Sequence, residues 1–173
     1  GFGLVEINKR DVKYLDSFTI KFDTKLLFFD RLKKIYESCC DVFKEYKPDE
    51  VAFESLIYVK NVSSLIKLSQ TRGVMLSALF NHSESSIFEY SPNFIKASLT
   101  NYGLSSKESV QRSLSLIFGN ITFETDDASD ALAIAFCHSI SRNKAKKFHP
   151  TATSSLGRGK TLSHFAKHYE RSK

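Results

Sequence analysis

Apolar and polar residues alternate with a period near two from Gly1 to Ile7 and again from Val12 to Phe22. That is the pattern of strands with one buried face. Asn8-Lys9-Arg10-Asp11 lies between them, a turn signal that makes the pair a hairpin. From Phe28 the period changes. Phe28, Leu32, Ile35, Tyr36, Cys39, Val42 and Phe43 follow helical spacing, and Lys47-Pro48-Asp49 ends the run. Glu50 to Glu54 reads as a short strand, apolar at Val51-Ala52-Phe53 and closed by a carboxylate. Asn61 to Asn81 reads as a long helix with Val62, Leu65, Ile66, Val74, Met75, Ala78 and Leu79 on its apolar side. Ser86 to Tyr90 is the next expected strand, with Pro92 as punctuation. Lys107 to Phe118 is helical, turning Val110, Leu114 and Ile117 inward. Asp127 to Ile140 is the last helix, capped by Thr125 or Asp126. The order predicts an α/β protein, a mixed sheet flanked by helices.

The chain has 173 residues, enough for one domain with a full core. The pattern dissolves after about residue 141, which divides the chain into a folded body, 1–141, and a basic tail, 142–173, expected to be flexible. The net charge of +6 follows this division. The tail holds nine Lys or Arg against Glu170, a local +8 that leaves the body near −2. Such a tail suits phosphate partners or simply a solvated terminus. It contains no phosphate-binding loop, because Gly157-Arg158-Gly159-Lys160 lacks that motif's spacing. No apolar run approaches the length of a membrane span. Cys39, Cys40 and Cys137 show neither metal-ligand spacing nor a disulfide framework. Reduced, buried thiols and a cytoplasmic location are the expectation.

The candidate chemistry is acidic. Asp127 and Asp130 are three apart at the start of a helix, so they share a face, with Asp126 beside them. Acids also favour a helix N-terminus for its dipole alone. Glu54 adds a third carboxylate at the end of a buried strand, where α/β sites form. Together they make a hard-oxygen set suited to magnesium or manganese. Two such ions can clamp the attacking and leaving oxygens of a phosphodiester.

Several motifs share one order and spacing. They are Phe53-Glu54-Ser55-Leu56, Lys60-Asn61, Gln70-Thr71-Arg72-Gly73-Val74, Phe88-Glu89-Tyr90, Lys107-Glu108-Ser109-Val110-Gln111 and the helix Asp127-Ala128-Ser129-Asp130-Ala131-Leu132-Ala133-Ile134-Ala135. Over Gly1 to about Ser141 the chain resembles the RuvC family of Holliday junction resolvases. The resemblance implies an RNase H-like fold and cleavage of four-way DNA junctions with two Mg²⁺ per site, Mn²⁺ substituting. It implies Glu54, Asp127 and Asp130 as metal ligands, and Lys96 and Lys107 as the two active-site lysines beside the scissile phosphate. Arg10, Lys60, Lys67 and Arg72 are expected to meet backbone phosphates. A C2 homodimer through the helix from Asn61 would match the junction's symmetry, Gly73 permitting close approach. The resemblance also raises the RuvA–RuvB branch-migration complex as a candidate partner.

Two departures matter. In the family the opening strand ends in Asp-Pro-Gly and its Asp is the first metal ligand. Gly1-Phe2-Gly3-Leu4 resembles the segment that follows, so that Asp is expected about seven residues before Gly1, and the chain as written is expected to be inactive. The family's junction-wedging aromatic, three residues after the Glu, is Ile57 here, with Tyr58 next to it as the residue able to stack. The alternatives are a catalytically inactive junction-binding protein, or another RNase H-like nuclease acting on branched DNA. His138, about two turns from Asp130, reads as structural.

Overall fold

The computed structural model describes residues 1–9, 11–56 and 61–143. The tail from Lys144 onward, and with it most of the basic segment, lies outside the described residues. Strands β1 (Phe2–Asn8) and β2 (Asp11–Phe18) form the expected antiparallel hairpin. Asn8 faces Asp11, and Lys9 after it adopts a left-handed φ of 55°. A bulge between Leu4 and Val5 shifts the register and leaves Leu15 half exposed. β2 stops at Phe18, short of the expected Phe22. The alternation continues, but the Thr19 hydroxyl hydrogen-bonds to Thr125 at 2.5 Å, and the chain leaves the ladder there.

Helix α1 (Phe28–Tyr46) ends where Lys47 turns left-handed before Pro48. A residue preceding proline is driven out of the α region, which sets this stop. β3 (Glu50–Glu54) and β4 (Ser86–Tyr90) pair in parallel, with Glu54 opposite Tyr90. Between them runs α2 (Val62–His82), capped by the Asn61 side chain, which accepts from the Ser64 amide. An additional helix, α3 (Pro92–Thr100), follows β4. Pro92 opens that helix: Ser91 caps it and the proline sits in its first turn, where no N–H is needed. α4 (Lys107–Phe118) is capped by Ser106 and ends at Gly119, whose φ is 88°. α5 (Asp126–Ser141) is capped by Thr125, whose hydroxyl accepts from the Ala128 amide at 3.2 Å.

Two apolar clusters hold these elements together. One joins α1 to α2 through Cys39, Cys40, Phe43, Ala78 and Leu79. The other gathers Phe88, Tyr90, Ile95, Val110, Leu114, Leu132, Ala133 and Cys137 around α5. Leu79, Leu114 and Leu132 are fully buried, each worth roughly 1.5–3 kcal/mol of transfer free energy. All three cysteines are buried and free, and burial pushes the Cys39 thiol up to about 11, with neighbouring Cys40 adding to the shift. No helix among the described residues is long and apolar enough to cross a membrane.

α5 is the centre of the molecule, packing on all four strands and on α3 and α4. β1 lies so close to it that a Cβ on Gly3 would run into the backbone of Ala131 and Leu132. Among the described residues the sheet is split: β1 pairs only with β2, and β3 only with β4. The expected mixture of strand directions is present, antiparallel in β1–β2 and parallel in β3–β4, in two separate two-stranded sheets. No described strand bridges β1 and β3, and a cavity of about 780 Å³ lies between them, lined by β1, β3, α1 and the Ala131–Ala135 face of α5.

Candidate active site

The site is assembled where β3 ends and α5 begins. Glu54 closes β3, and the next amide, Ser55, donates to the Tyr90 carbonyl at 2.8 Å, which carries the ladder one step further. The Glu54 carboxyl titrates above the ordinary range. Partial desolvation is the first cause and the charge of Asp130 the second, while Arg72 and Lys96 pull the other way. The strand-end Glu, the α5 Asp and the α3 Lys are therefore electrostatic neighbours, though they are far apart in sequence.

Asp126 and Asp130 are one turn apart on α5, and the Lys107 ammonium from the start of α4 sits between them. It is 3.5 Å from Asp126 Oδ2 and 3.4 Å from Asp130 Oδ2. Asp130 and then Asp126 raise the Lys107 pKa, so the lysine is a firm cation. Both pairs are at least half exposed, and such bridges contribute little to stability. α4 and α5 are also joined by Gln111 Nε2, which donates to Asp126 Oδ1 at 3.3 Å and to Ser129 Oγ at 3.1 Å. Asp127 is exposed beside this group. Among the described residues no three His, Cys, Asp or Glu side chains stand close enough to hold a metal ion as they are. The proposed ligands are thus partly gathered: Glu54 and Asp130 sense each other, and Asp127 does not close the set.

The expected DNA contacts fall into four groups. Lys107 stands by Asp130, and the charge of Lys96 is felt at Glu54. Lys67 lies with its ammonium 5.8 Å from the Phe28 ring centroid, between α2 and α1. Arg72 is turned inward: it pairs with Glu89 at 2.6 Å, donates to the Glu54 carbonyl and covers the Phe53 ring at 5.2 Å. Arg10, Ile57, Tyr58 and Lys60 lie outside the described residues.

His138 has the structural role expected of it. It is buried on α5, with Nδ1 2.8 Å from the Tyr90 hydroxyl and Nε2 2.9 Å from Glu50 Oε2. Burial lowers its pKa, outweighing the upward pull of the Glu50 carboxylate. The Tyr90 hydroxyl is pushed up to about 12, chiefly by burial. The neutral imidazole therefore accepts from tyrosine and donates to Glu50. Gln111 and Ser129 lie within the motifs, but their link across α4 and α5 and the partnership of Asp126 with Lys107 emerge only in the structure. The spacing of Asp126 and Asp130 by four was the available signal for the last.

Comparison with known proteins bears directly on this arrangement. The family of crossover junction endodeoxyribonucleases RuvC matches residues 1–138. The chain is 37% identical over 151 residues to the crossover junction endodeoxyribonuclease RuvC of Thermotoga maritima, covering 86% of this chain and 89% of that one. It is 36% identical over 147 residues to the Legionella pneumophila Philadelphia 1 protein of the same name, covering 85% and 84%. The fold matches the Thermus thermophilus RuvC structure with a TM-score of 0.73 at 23% identity, over 84% of this chain and 91% of that one. It matches the T. thermophilus RuvC structure in complex with Holliday junction substrate with a TM-score of 0.75 at 23% identity, over 84% and 90%. The split sheets and central α5 are thus parts of an RNase H-like fold. From β1 through most of α5, this chain belongs to the RuvC family of crossover junction endodeoxyribonucleases, enzymes that hydrolyse DNA at Holliday junctions.

Proposed function

We propose that Glu54, Asp127 and Asp130 form the metal-binding part of the nuclease site, and that Lys107 and Lys96 serve the scissile phosphate. The observation that carries this reading is the Lys107 ammonium, held 3.4 Å from Asp130 while Asp130 in turn raises the Glu54 carboxyl. Like charges on Glu54 and Asp130 oppose each other, and a cation beside them relieves the repulsion. Their oxygens fit a hard divalent ion such as Mg²⁺, with Mn²⁺ as substitute. When bound, two such ions supply an activated water and stabilise the departing 3′ oxygen. The chain's own residues do the rest. Glu54 and the α5 acids set where positive charge collects. Lys107 neutralises negative charge as it builds on the phosphate, and Lys96 adds a second cation from α3.

The cavity between β1 and β3 supports the reading that one more strand, bearing the first Asp of the site, belongs between those two edges. Among the described residues β1 and β3 each have one unpaired edge, and an unpaired edge is a standing template for a strand. Arg10, Lys60 and Lys67 serve as backbone-phosphate contacts, with Ile57 or Tyr58 stacking on junction bases. A C2 homodimer brings two sites to a two-fold junction. α2 supports it: Val62, Ile66 and Phe80 are exposed on that helix, and nothing fills the space where a Gly73 side chain would be.

The test is cleavage of a mobile four-way junction by the complete protein. Cutting is expected with Mg²⁺ and not with Ca²⁺, and Glu54→Gln abolishes it while junction binding stays near normal. Loss of binding together with cutting would remove Glu54 from the metal set.

A further inference from the structure

Arg72 looks from sequence like one more helix-borne cation for a phosphate, yet its guanidinium is committed inside the protein. Nη1 lies 2.6 Å from Glu89 Oε1, Nη2 donates to the main-chain carbonyl of Glu54, and the guanidinium carbon stands 5.2 Å from the centroid of the Phe53 ring. The side chain is only 17% exposed, and that of Glu89 28%. Phe53 and Glu89 are register partners on the parallel pair β3–β4. They therefore share a sheet face, and the adjacent pair Glu54 and Tyr90 points to the opposite one. Arg72 thus reaches from α2 to one face of the strand pair and clamps the main chain at the residue whose side chain leaves from the other.

We infer that Arg72 is a positioning residue for Glu54: it fixes the end of β3 so that the Glu54 carboxylate is aimed at the α5 acids. The inference rests on the reading of Glu54 as a metal ligand. Three contacts of different kinds define the plane of the guanidinium. The ion pair with Glu89 ties α2 to β4, the bond to the Glu54 carbonyl ties α2 to β3, and the ring contact restrains the tilt. Ser55 already bonds to the Tyr90 carbonyl, so the carbonyl of Glu54 is the next main-chain acceptor along the strand end, and Arg72 takes it. Lysine is a point charge on a flexible stem and cannot hold an acceptor, a carboxylate and a ring in one plane. Arginine is needed here for geometry more than for charge.

The experiment compares Arg72→Lys, Arg72→Gln and Glu89→Gln with Glu54→Gln in the complete protein. Three quantities are read: Mn²⁺ affinity without DNA, turnover at saturating junction, and the slope of log junction affinity against log salt. Arg72→Lys is expected to lose roughly 10–100-fold in Mn²⁺ affinity and turnover, the usual cost of removing a group that orients a ligand. Its KM for the junction and its salt slope stay unchanged. Glu89→Gln, which leaves the arginine on the carbonyl, loses only a few-fold. Full Mn²⁺ affinity and turnover in Arg72→Lys would overturn the inference. So would a salt slope in Arg72→Gln flattened by about 0.9, the signature of one lost phosphate contact. If Arg72→Gln does not fold, the Lys and Glu89 variants decide. Unchanged Mn²⁺ affinity in Glu54→Gln would overturn the metal-ligand reading itself. Loss there with none in Arg72→Lys would overturn the positioning role alone.

Discussion

The two ends of α5 hold polar groups in opposite regimes. Toward its C-terminus His138 is buried, its two ring nitrogens are both paired, and Tyr90, Glu50 and Arg142 close the network. At its N-terminus Asp126, Asp127 and Asp130 are exposed, like-charged and balanced by one lysine from α4. Every group in the first network has its partner, as buried polar groups must, and the result is a staple between α5, β3 and β4. The second cluster is poised for something that arrives. One helix thus carries a structural polar site and the proposed chemical one, and they differ in burial and pairing.

The sharpest way to break this comparison is at Lys107. Lys107→Met should reduce cleavage by about 10²–10³-fold, the cost of losing one stabiliser of developing charge. Its melting temperature should hardly change, because both its ion pairs are exposed. A large loss of stability measured by thermal unfolding would make this end of α5 structural as well. The opposite substitution is Tyr90→Phe. It leaves the buried Nδ1 of His138 without its donor and should cost roughly 1–3 kcal/mol in urea unfolding, with cleavage within a few-fold of normal.

The smallest expected effect is in pH. Burial holds the His138 pKa below its unfolded value of about 6.5. Between those two values the unfolded chain binds more protons than the folded one. The stability tied to the neutral imidazole is therefore full above about pH 6.5 and declines as pH falls through the window toward the folded pKa. The slope from this one group is at most about 1.4 kcal/mol per pH unit. His138→Gln should flatten unfolding free energies measured across pH 5–7. An unaltered pH dependence would place the acid sensitivity elsewhere.

Local structure was largely legible in the chain. β3 and β4 fall on the expected residues because short apolar runs end there in charged or turn residues, and Asn61 announces the cap of α2. α3 was not, because a proline after Ser91 reads as a break until the serine is recognised as the cap. Which strand edges meet is not written in strand patterns alone. In the site, the crowding at Asp126 and Asp130 follows from helical spacing. The commitment of Arg72 does not: its partners Glu54 and Glu89 come from two different strands, and a basic residue on a helix looks the same whether it faces DNA or a carbonyl. The partners of His138, Glu50 and Tyr90, are likewise brought to it only by tertiary packing.

The central claim is that the acidic end of α5 performs the chemistry and does not hold the fold. It is tested most directly by junction cleavage and junction binding measured side by side for the complete protein and its Asp127→Asn variant. The account predicts Mg²⁺-dependent cutting of the four-way junction by the former, and cutting lowered at least about 10³-fold with near-normal binding in the latter. Normal cutting by Asp127→Asn, or binding lost along with cutting, would contradict it.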